Sequence, residues 1–320
     1  MSAAFRFGVV GAGRMGRNHI KAIADSGVAS VNAVADPSAA ALQTVSGPGR
    51  SVHADLDSML GAKSIDGVLV CVPTTLHYPT VMRCIEARLP ILAEKPFGLN
   101  AAQAIELADR AQAAGVPLQV GFWRRFVPTL RDLRSRILNG NLGTIYSICC
   151  YQWDGAPPSR YFRERSGGIV ADMGVHDFDQ IRWLTGQEFE AVEAIASDTM
   201  LEEWPGDPES IHILAKLSAG ATVSVSLGRR FPTGDICKVE VFGTLDADEL
   251  RFLWPPTADE TFFRALGDQA ESFVAHLNGG PMNGASGFDA AAALAAADRA
   301  TEALGVATSK NANGVIDDLA

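Results

Sequence analysis

From Phe5 to about Val120, short apolar runs alternate with longer amphipathic ones. The apolar runs are FRFGVVG from Phe5, VNAVAD from Val31, GVLVCVP from Gly67, PILAE from Pro90 and PLQVGF from Pro117. Between them, helices are expected from Met15, near Ser38, from Tyr78 and from Ala101. Strands alternating with helices predict a parallel sheet covered on both faces, and an uninterrupted apolar run such as GVLVCV suits a strand buried on both sides.

After Gly121 the period changes. In ATVSVSLG, Val223, Val225 and Leu227 point one way and Thr222, Ser224 and Ser226 the other, as in an antiparallel sheet with one apolar face. Similar strands are predicted near Ile145 to Trp153, Ala191 to Ser197, Ser210 to Leu217 and Ile236 to Gly243. Helices are predicted near Thr129 to Asn139, Asp172 to Thr185, Leu266 to Asn278 and Phe288 to Leu304. The expected architecture is an α/β Rossmann domain with a doubly wound parallel sheet over residues 1–121. An α+β domain with a large, mainly antiparallel open sheet follows over 122–320, and its last helix can pack on either domain. The Ser and Thr face of ATVSVSLG can stack flat on a copy of itself, so a homodimer or homotetramer through this sheet is expected.

Composition narrows the partners. A chain of 320 residues with 47% hydrophobic content can fill two cores, and a formal charge of −10 with scattered Lys and Arg repels nucleic acid and anionic membrane alike. MSAAFRFGVV runs almost directly into a strand, without the pattern of a secretion signal, and no apolar run approaches the roughly 20 residues of a membrane span. A cytoplasmic protein is expected. Five cysteines without CxxC spacing read as free thiols in a reducing compartment, and no metal site is expected.

The first βα turn carries candidate chemistry. Gly11, Gly13 and Gly16 form a GxGxxG after a strand and at a helix start, with Arg14 and Met15 inside it. The glycines serve a tight turn, close approach to a pyrophosphate, and helix-to-strand packing; the phosphates would sit on the free amides of the helix. Asp36 ends the second strand about 20 residues past the last glycine, where a carboxylate can accept both ribose hydroxyls or simply cap the next helix. It would repel a 2′-phosphate and no basic residue follows it, so NAD is expected over NADP. Thr74 and His77, after the strand GVLVCVP, are expected to line the cofactor at the carboxyl ends of the strands.

Four ordered segments complete the pattern: CVPTTLHYP, ILAEKPFGLN, GFWRRFVPTL and SGGIVADMGVHDFDQIRWLTG. With the nucleotide fingerprint they resemble the glucose-fructose oxidoreductase, inositol dehydrogenase and MocA family over nearly the whole chain, the inositol dehydrogenase branch most. The resemblance implies that Glu94, Lys95 and Pro96 form the family's EKP tripeptide, whose lysine enters the active site. Two stretches depart from it. Trp153, Asp154 and Gly155 precede Ala156, Pro157 and Pro158 where inositol-acting relatives often have Arg-Asp-Pro, and Arg229 to Lys238 lacks a tyrosine that relatives often place near the substrate.

Oxidising an alcohol needs a proton acceptor on oxygen while the cofactor takes the hydride. His176 lies four residues after Asp172, so on a helix they share a face: His176 is the expected base, with Asp172 fixing its orientation. Lys95 would stabilise developing alkoxide charge. Arg125, Trp153, Asp154 and Tyr161 are further substrate candidates, Asp179 could touch substrate or hold its helix, Arg124 is expected to pair with a surface acid, and His19 is expected to be a packed histidine. The expected activity is NAD-dependent oxidation of a secondary hydroxyl of a cyclic polyol, an inositol first. A sugar dehydrogenase or keto-sugar reductase, a glycosidase that oxidises and re-reduces its substrate on bound NAD, and a nucleotide-sensing regulator remain open as alternatives.

Overall fold

The computed structural model describes residues 4–197, 199 and 207–305. The first half contains β1 (Phe5–Val10), α1 (Arg14–Ser26), β2 (Ala29–Ala35), α2 (Ala39–Val45), β3 (Ser51–His53), α3 (Leu56–Gly61), β4 (Gly67–Val70), α4 (Thr74–Glu86), β5 (Ile91–Ala93), α5 (Ala101–Ala114) and β6 (Leu118–Val120). All six strands run parallel in the order β3-β2-β1-β4-β5-β6. The order reverses between β1 and β4, so the crevice at the carboxyl ends of those strands is the ligand position that doubly wound sheets share.

The second half contains a 3-10 turn at Trp123–Phe126, α6 (Pro128–Leu138), β7 (Ile145–Trp153), α7 (Arg160–Arg163), a π turn at Val170–Gly174, α8 (Val175–Thr185), β8 (Phe189–Ala196), β9 (Ser210–Leu217), β10 (Thr222–Gly228), β11 (Ile236–Gly243), β12 (Ala247–Leu253), α9 (Ala258–Leu277) and α10 (Gly287–Ala303). Its sheet has the order β12-β11-β7-β10-β9-β8, antiparallel except for β7 beside β10. Val223, Val225 and Leu227 are buried as their alternation requires, while Thr222 is exposed.

Alternation fixes which residues meet. Val10, Val68, Val70, Ile91 and Ala93 face α4 and α5 and join one apolar core that continues to Ile148 and Val225 of the second sheet. Phe7, Val9, Leu69 and Leu92 face the other way, onto α1 and α9, where the Phe7 and Phe273 rings stack with centroids 6.1 Å apart. α10 packs on α5 and α8, and Asp298 on it accepts from the Ala101 amide at 3.0 Å. Both late helices therefore return to the first sheet, not the last one alone.

Four elements, β3, α3, α7 and β12, exceed the sequence expectation. β3 is a three-residue edge strand with half-exposed or exposed residues, and α3 buries only Met59, so neither leaves a periodic apolar signal. α4 starts at Thr74, earlier than Tyr78, and carries Pro79 inside it. α9 starts at Ala258, well before Leu266, helped by Asp259 and Glu260 in its first turn, where carboxylates favour the helix dipole. Among the described residues no helix is long and apolar enough to cross a membrane.

Candidate active site

The cofactor end is built by three glycines with three different reasons. Gly11 has φ +98°, and a Cβ there would strike the Cys71 carbonyl at the start of the next crossover. A Cβ on Gly16 would collide with the Gly11 carbonyl, so α1 packs on β1 only without a side chain. At Gly13 nothing lies within 4 Å of the Cβ position. That open side faces the first amides of α1, which has no side-chain cap, so donors are left for an anion. Across from it, Asp36 Oδ2 accepts from the Ala12 amide at 2.7 Å and Oδ1 from the Ser38 amide at 2.8 Å. Ser38, not Asp36, caps α2. The carboxylate thus stands at the rim of the glycine turn, and the cradle fits a dinucleotide.

The expected lining residues divide. Thr74 opens α4, Arg14 is exposed and Met15 is half-buried. His77 is buried inside the turn, with Nε2 2.9 Å from the Val72 carbonyl, and burial pushes its pKa down. It supports the crevice wall from within, because α4 begins earlier than expected and turns this position inward. Glu94 is likewise buried: Oε1 lies 2.6 Å from Nε2 of fully buried His19, and Oε2 accepts from the Lys95 amide at 3.2 Å. His19 is packed, as expected, and it ties the cofactor helix to the turn that carries Lys95.

Lys95 leaves the carboxyl end of β5 and reaches the π turn before α8. Its Nζ donates to the Asp172 carbonyl at 2.7 Å and to Asp172 Oδ1 at 3.0 Å. Gly167 and Gly168, both at φ +85°, supply the left-handed turn that precedes this segment. Burial pushes the Asp172 carboxyl up, but Lys95 and then Arg229 outweigh it and hold it below the ordinary aspartate range.

His176 enters the same cluster from the start of α8. Its ring packs edge-on against Phe122, centroids 5.8 Å apart, and against Trp123 at 6.2 Å. Burial, then the charges of Lys95 and Arg124, push its pKa well below 6.5, so the imidazole is neutral at physiological pH. Nδ1 has no partner among the described residues. The expected Asp172–His176 hydrogen bond is absent there: the Asp172 carboxylate is turned to the two cations, Oδ1 to Lys95 and Oδ2 to Arg229 Nη1 at 2.9 Å. Aromatic packing sets the imidazole instead.

The remaining candidates separate by face. Asp154 follows β7 with Oδ2 3.8 Å from Arg229 Nη1 and a side chain 29% exposed. Burial raises its carboxyl to about 6, against the pull of Arg229. Trp153, one residue earlier, lies on the opposite face of the sheet from Gln152, which reaches Arg124 at 2.6 Å near His176. Its Nε1 donates to Ser226 Oγ at 3.1 Å and its ring covers Gly228, so it packs on the outer face. Tyr161 is 63% exposed, with Arg165 over its ring at 4.1 Å, and is not drawn into the cluster. Arg125 is spent on Asp179, at 2.9 and 2.6 Å, which holds the 3-10 turn to α8. Arg124 is buried, not at the surface, and donates to Asp177 Oδ1 at 2.7 Å.

The model for the oxidoreductase family with an NAD-binding Rossmann fold matches residues 5–122, and that for the GFO/IDH/MocA C-terminal domain matches residues 130–246. The chain belongs to the GFO/IDH/MocA family. It is 47% identical over 301 residues to the rhizopine catabolism protein MocA of Rhizobium meliloti, covering 94% of this chain and 95% of that one. It is 32% identical over 320 residues to the inositol 2-dehydrogenase of Rhizobium meliloti strain 1021, covering 93% and 96%. The scyllo-inositol dehydrogenase of Lactobacillus casei, solved with NAD(H) and scyllo-inositol, superimposes with a TM-score of 0.85 at 26% identity over 94% of this chain and 97% of that one.

In this GFO/IDH/MocA protein the sequence reading missed the burial of Arg124 and the part played by Arg229. Arg229 is fully buried, and its Nη2 lies 3.4 Å from Asp207 Oδ1. Its position directly after the alternating strand β10, whose last residues are buried, was the available signal. The partners, 57 and 22 residues away, were not readable. Together the cluster offers an ammonium donor and a neutral imidazole beside the nucleotide crevice, an arrangement able to bind a hydroxyl and take its proton.

Proposed function

We propose that this GFO/IDH/MocA protein oxidises a secondary hydroxyl of a cyclic polyol, an inositol first, with NAD as acceptor. The observation that carries the reading is the Lys95 ammonium held on Asp172 at the carboxyl end of β5, near enough that its charge, after burial, helps keep the His176 imidazole of α8 neutral. The relatives named as inositol dehydrogenases support the substrate class.

Gly11, Gly13, Arg14, Met15 and Gly16 would hold the pyrophosphate, Asp36 the ribose, and Thr74 the wall of the crevice. When bound, NAD supplies the hydride acceptor. Lys95 donates to the substrate oxygen and offsets the charge that develops as its proton leaves. His176, uncharged at rest, receives that proton. Asp172 holds Lys95 rather than the imidazole, and Asp154, the partly exposed carboxylate of the cluster, accepts from a neighbouring hydroxyl. Phe122 and Trp123 keep water from the imidazole, which strengthens these interactions.

Residues 1–121 serve the cofactor and 122–320 the substrate and assembly, with α9 and α10 packed across both. A cytoplasmic homo-oligomer, a dimer or tetramer, forms through the outer face of the second sheet, where Ile195 and Leu214 stand 76% and 62% exposed. A monomeric mass by light scattering at micromolar concentration would contradict that.

The test of the substrate class is NADH formation against a panel of inositols, rhizopine, aldoses and glycosides, with NAD and NADP in parallel. Rhizopine belongs in it because the relative at 47% identity is named for its catabolism. Turnover of a plain cyclic polyol with NAD supports the proposal and separates it from a glycosidase without net redox. Activity confined to an aldose contradicts it.

A further inference from the structure

We propose that Arg229 is a positioning residue for the oxidation: it occupies one carboxylate oxygen of Asp172, leaving the other oxygen and the Asp172 carbonyl to hold the Lys95 ammonium, and so keeps Asp172 from His176. The inference rests on the reading above that Lys95 meets the substrate oxygen.

The acceptor inventory of Asp172 carries the argument. Oδ1 and the main-chain carbonyl both go to Lys95 Nζ, at 3.0 and 2.7 Å, while Oδ2 goes to Arg229 Nη1 at 2.9 Å. A carboxylate turns easily about its last torsion, which is broad and roughly two-fold, so one partner does not fix its plane. The second partner does. Arg229 is itself anchored from behind: Nη2 lies 3.4 Å from Asp207 Oδ1, and that oxygen also accepts from the Ile169 amide at 2.8 Å. Asp207 Oδ2 takes Arg163 Nε at 2.6 Å. Opposite charges therefore alternate from Lys95 through Asp172, Arg229 and Asp207 to Arg163, all but Lys95 buried.

Stability is a poor reason for such a chain. Buried ion pairs are often no better than apolar residues of similar volume, and Arg229 Nε has no partner among the described residues. The arrangement is understandable if the geometry at its open end matters. The charged and titratable groups around Asp172 are Lys95 from the end of β5, Arg229 from the end of β10, Asp154 from the end of β7 and His176 from α8, with Asp207 behind Arg229.

The experiment uses Arg229→Gln and Arg229→Lys. In Arg229→Gln, loss of a cation beside Asp172 is expected to move the acid limb of kcat/KM upward by roughly 1–3 units, with the NAD dissociation constant unchanged. Arg229→Lys keeps a cation and is expected to keep the limb near its wild-type position. A merely structural role would lower stability and amplitude in both variants and move the limb in neither; that result overturns the proposal. So does a limb displaced equally by Lys and Gln, and if Arg229→Gln does not fold, a limb displaced upward in Arg229→Lys overturns it alone. A crystal structure of a folded variant supplies a readout independent of substrate. The Asp172 carboxylate is expected to turn away from Lys95 in Arg229→Gln and to stay in Arg229→Lys. If wild type oxidises no polyol while Asp172 still turns in the crystal, the functional reading has failed and the positioning has not; an unmoved Lys95–Asp172 contact in Arg229→Gln sinks the positioning whatever the substrate.

Discussion

The protonation of His176 can be tested without any substrate. Burial first, then Lys95 and Arg124, push its pKa well below the ordinary 6.5, so between that value and the folded one the unfolded chain binds a proton that the folded chain refuses. Stability from this residue is therefore present above 6.5 and is lost as pH falls toward the folded value. The loss approaches about 1.4 kcal/mol per pH unit once the unfolded imidazole is protonated. His77, also lowered by burial, adds a slope of the same sign. Asp154, raised to about 6, runs the other way: from its ordinary 3.8 up to 6 the folded state holds the extra proton, so acidification there stabilises. The wild-type slope is thus a sum, and the His176→Gln variant isolates one member of it. Urea unfolding of both proteins at several pH values between about 7.5 and about 5 gives two stability curves. The gap between them is expected to be constant above about pH 7 and to shift in the variant's favour by about 1 kcal/mol or more per unit below about pH 6. Parallel curves throughout would refute the argument, because they would mean that His176 takes up its proton as readily folded as unfolded.

Three further outcomes are expected. Asp177→Asn leaves the Arg124 guanidinium in the core without its carboxylate and should cost about 3–5 kcal/mol in urea or thermal unfolding. Asp36→Ala should weaken NAD binding by about 1.5–3 kcal/mol, read by fluorescence titration, and narrow the preference over NADP, since the lost group is a charged acceptor at the rim of the glycine turn. Trp153→Phe removes the bond to Ser226 and should cost roughly 0.5–1.5 kcal/mol of stability with the KM for polyol unchanged; a several-fold change in KM would return Trp153 to the substrate site.

What the sequence conveyed depended on how local the cause was. β7, β9 and β11 have the bounds that alternation predicted, because period two is written into consecutive residues. The glycine turn and Asp36 were readable because their spacing is set by one βα unit. β12 was not: ADELRFL alternates charge on the outer face of an edge strand, and only Phe252 and Leu253 are buried. Long-range pairing was invisible too. Arg124 reads as a surface residue until Asp177, 53 positions later, is placed against it, and Arg125 reads as a substrate contact until Asp179 closes on its Nε and Nη2. The i,i+4 spacing of Asp172 and His176 suggested a dyad; Lys95 and Arg229, brought in by two other strands, divert the carboxylate.

Lys95 and His176 are expected to act together on a polyol hydroxyl beside bound NAD. The most direct test is NADH formation from an inositol by wild type, Lys95→Met and His176→Ala, with NAD affinity measured on the same samples. The expected result is turnover by wild type, a loss of about 10²–10³-fold in kcat for Lys95→Met, a comparable or larger loss for His176→Ala, and NAD binding nearly intact in both. Full turnover by either variant, or loss of NAD binding in both, would contradict it.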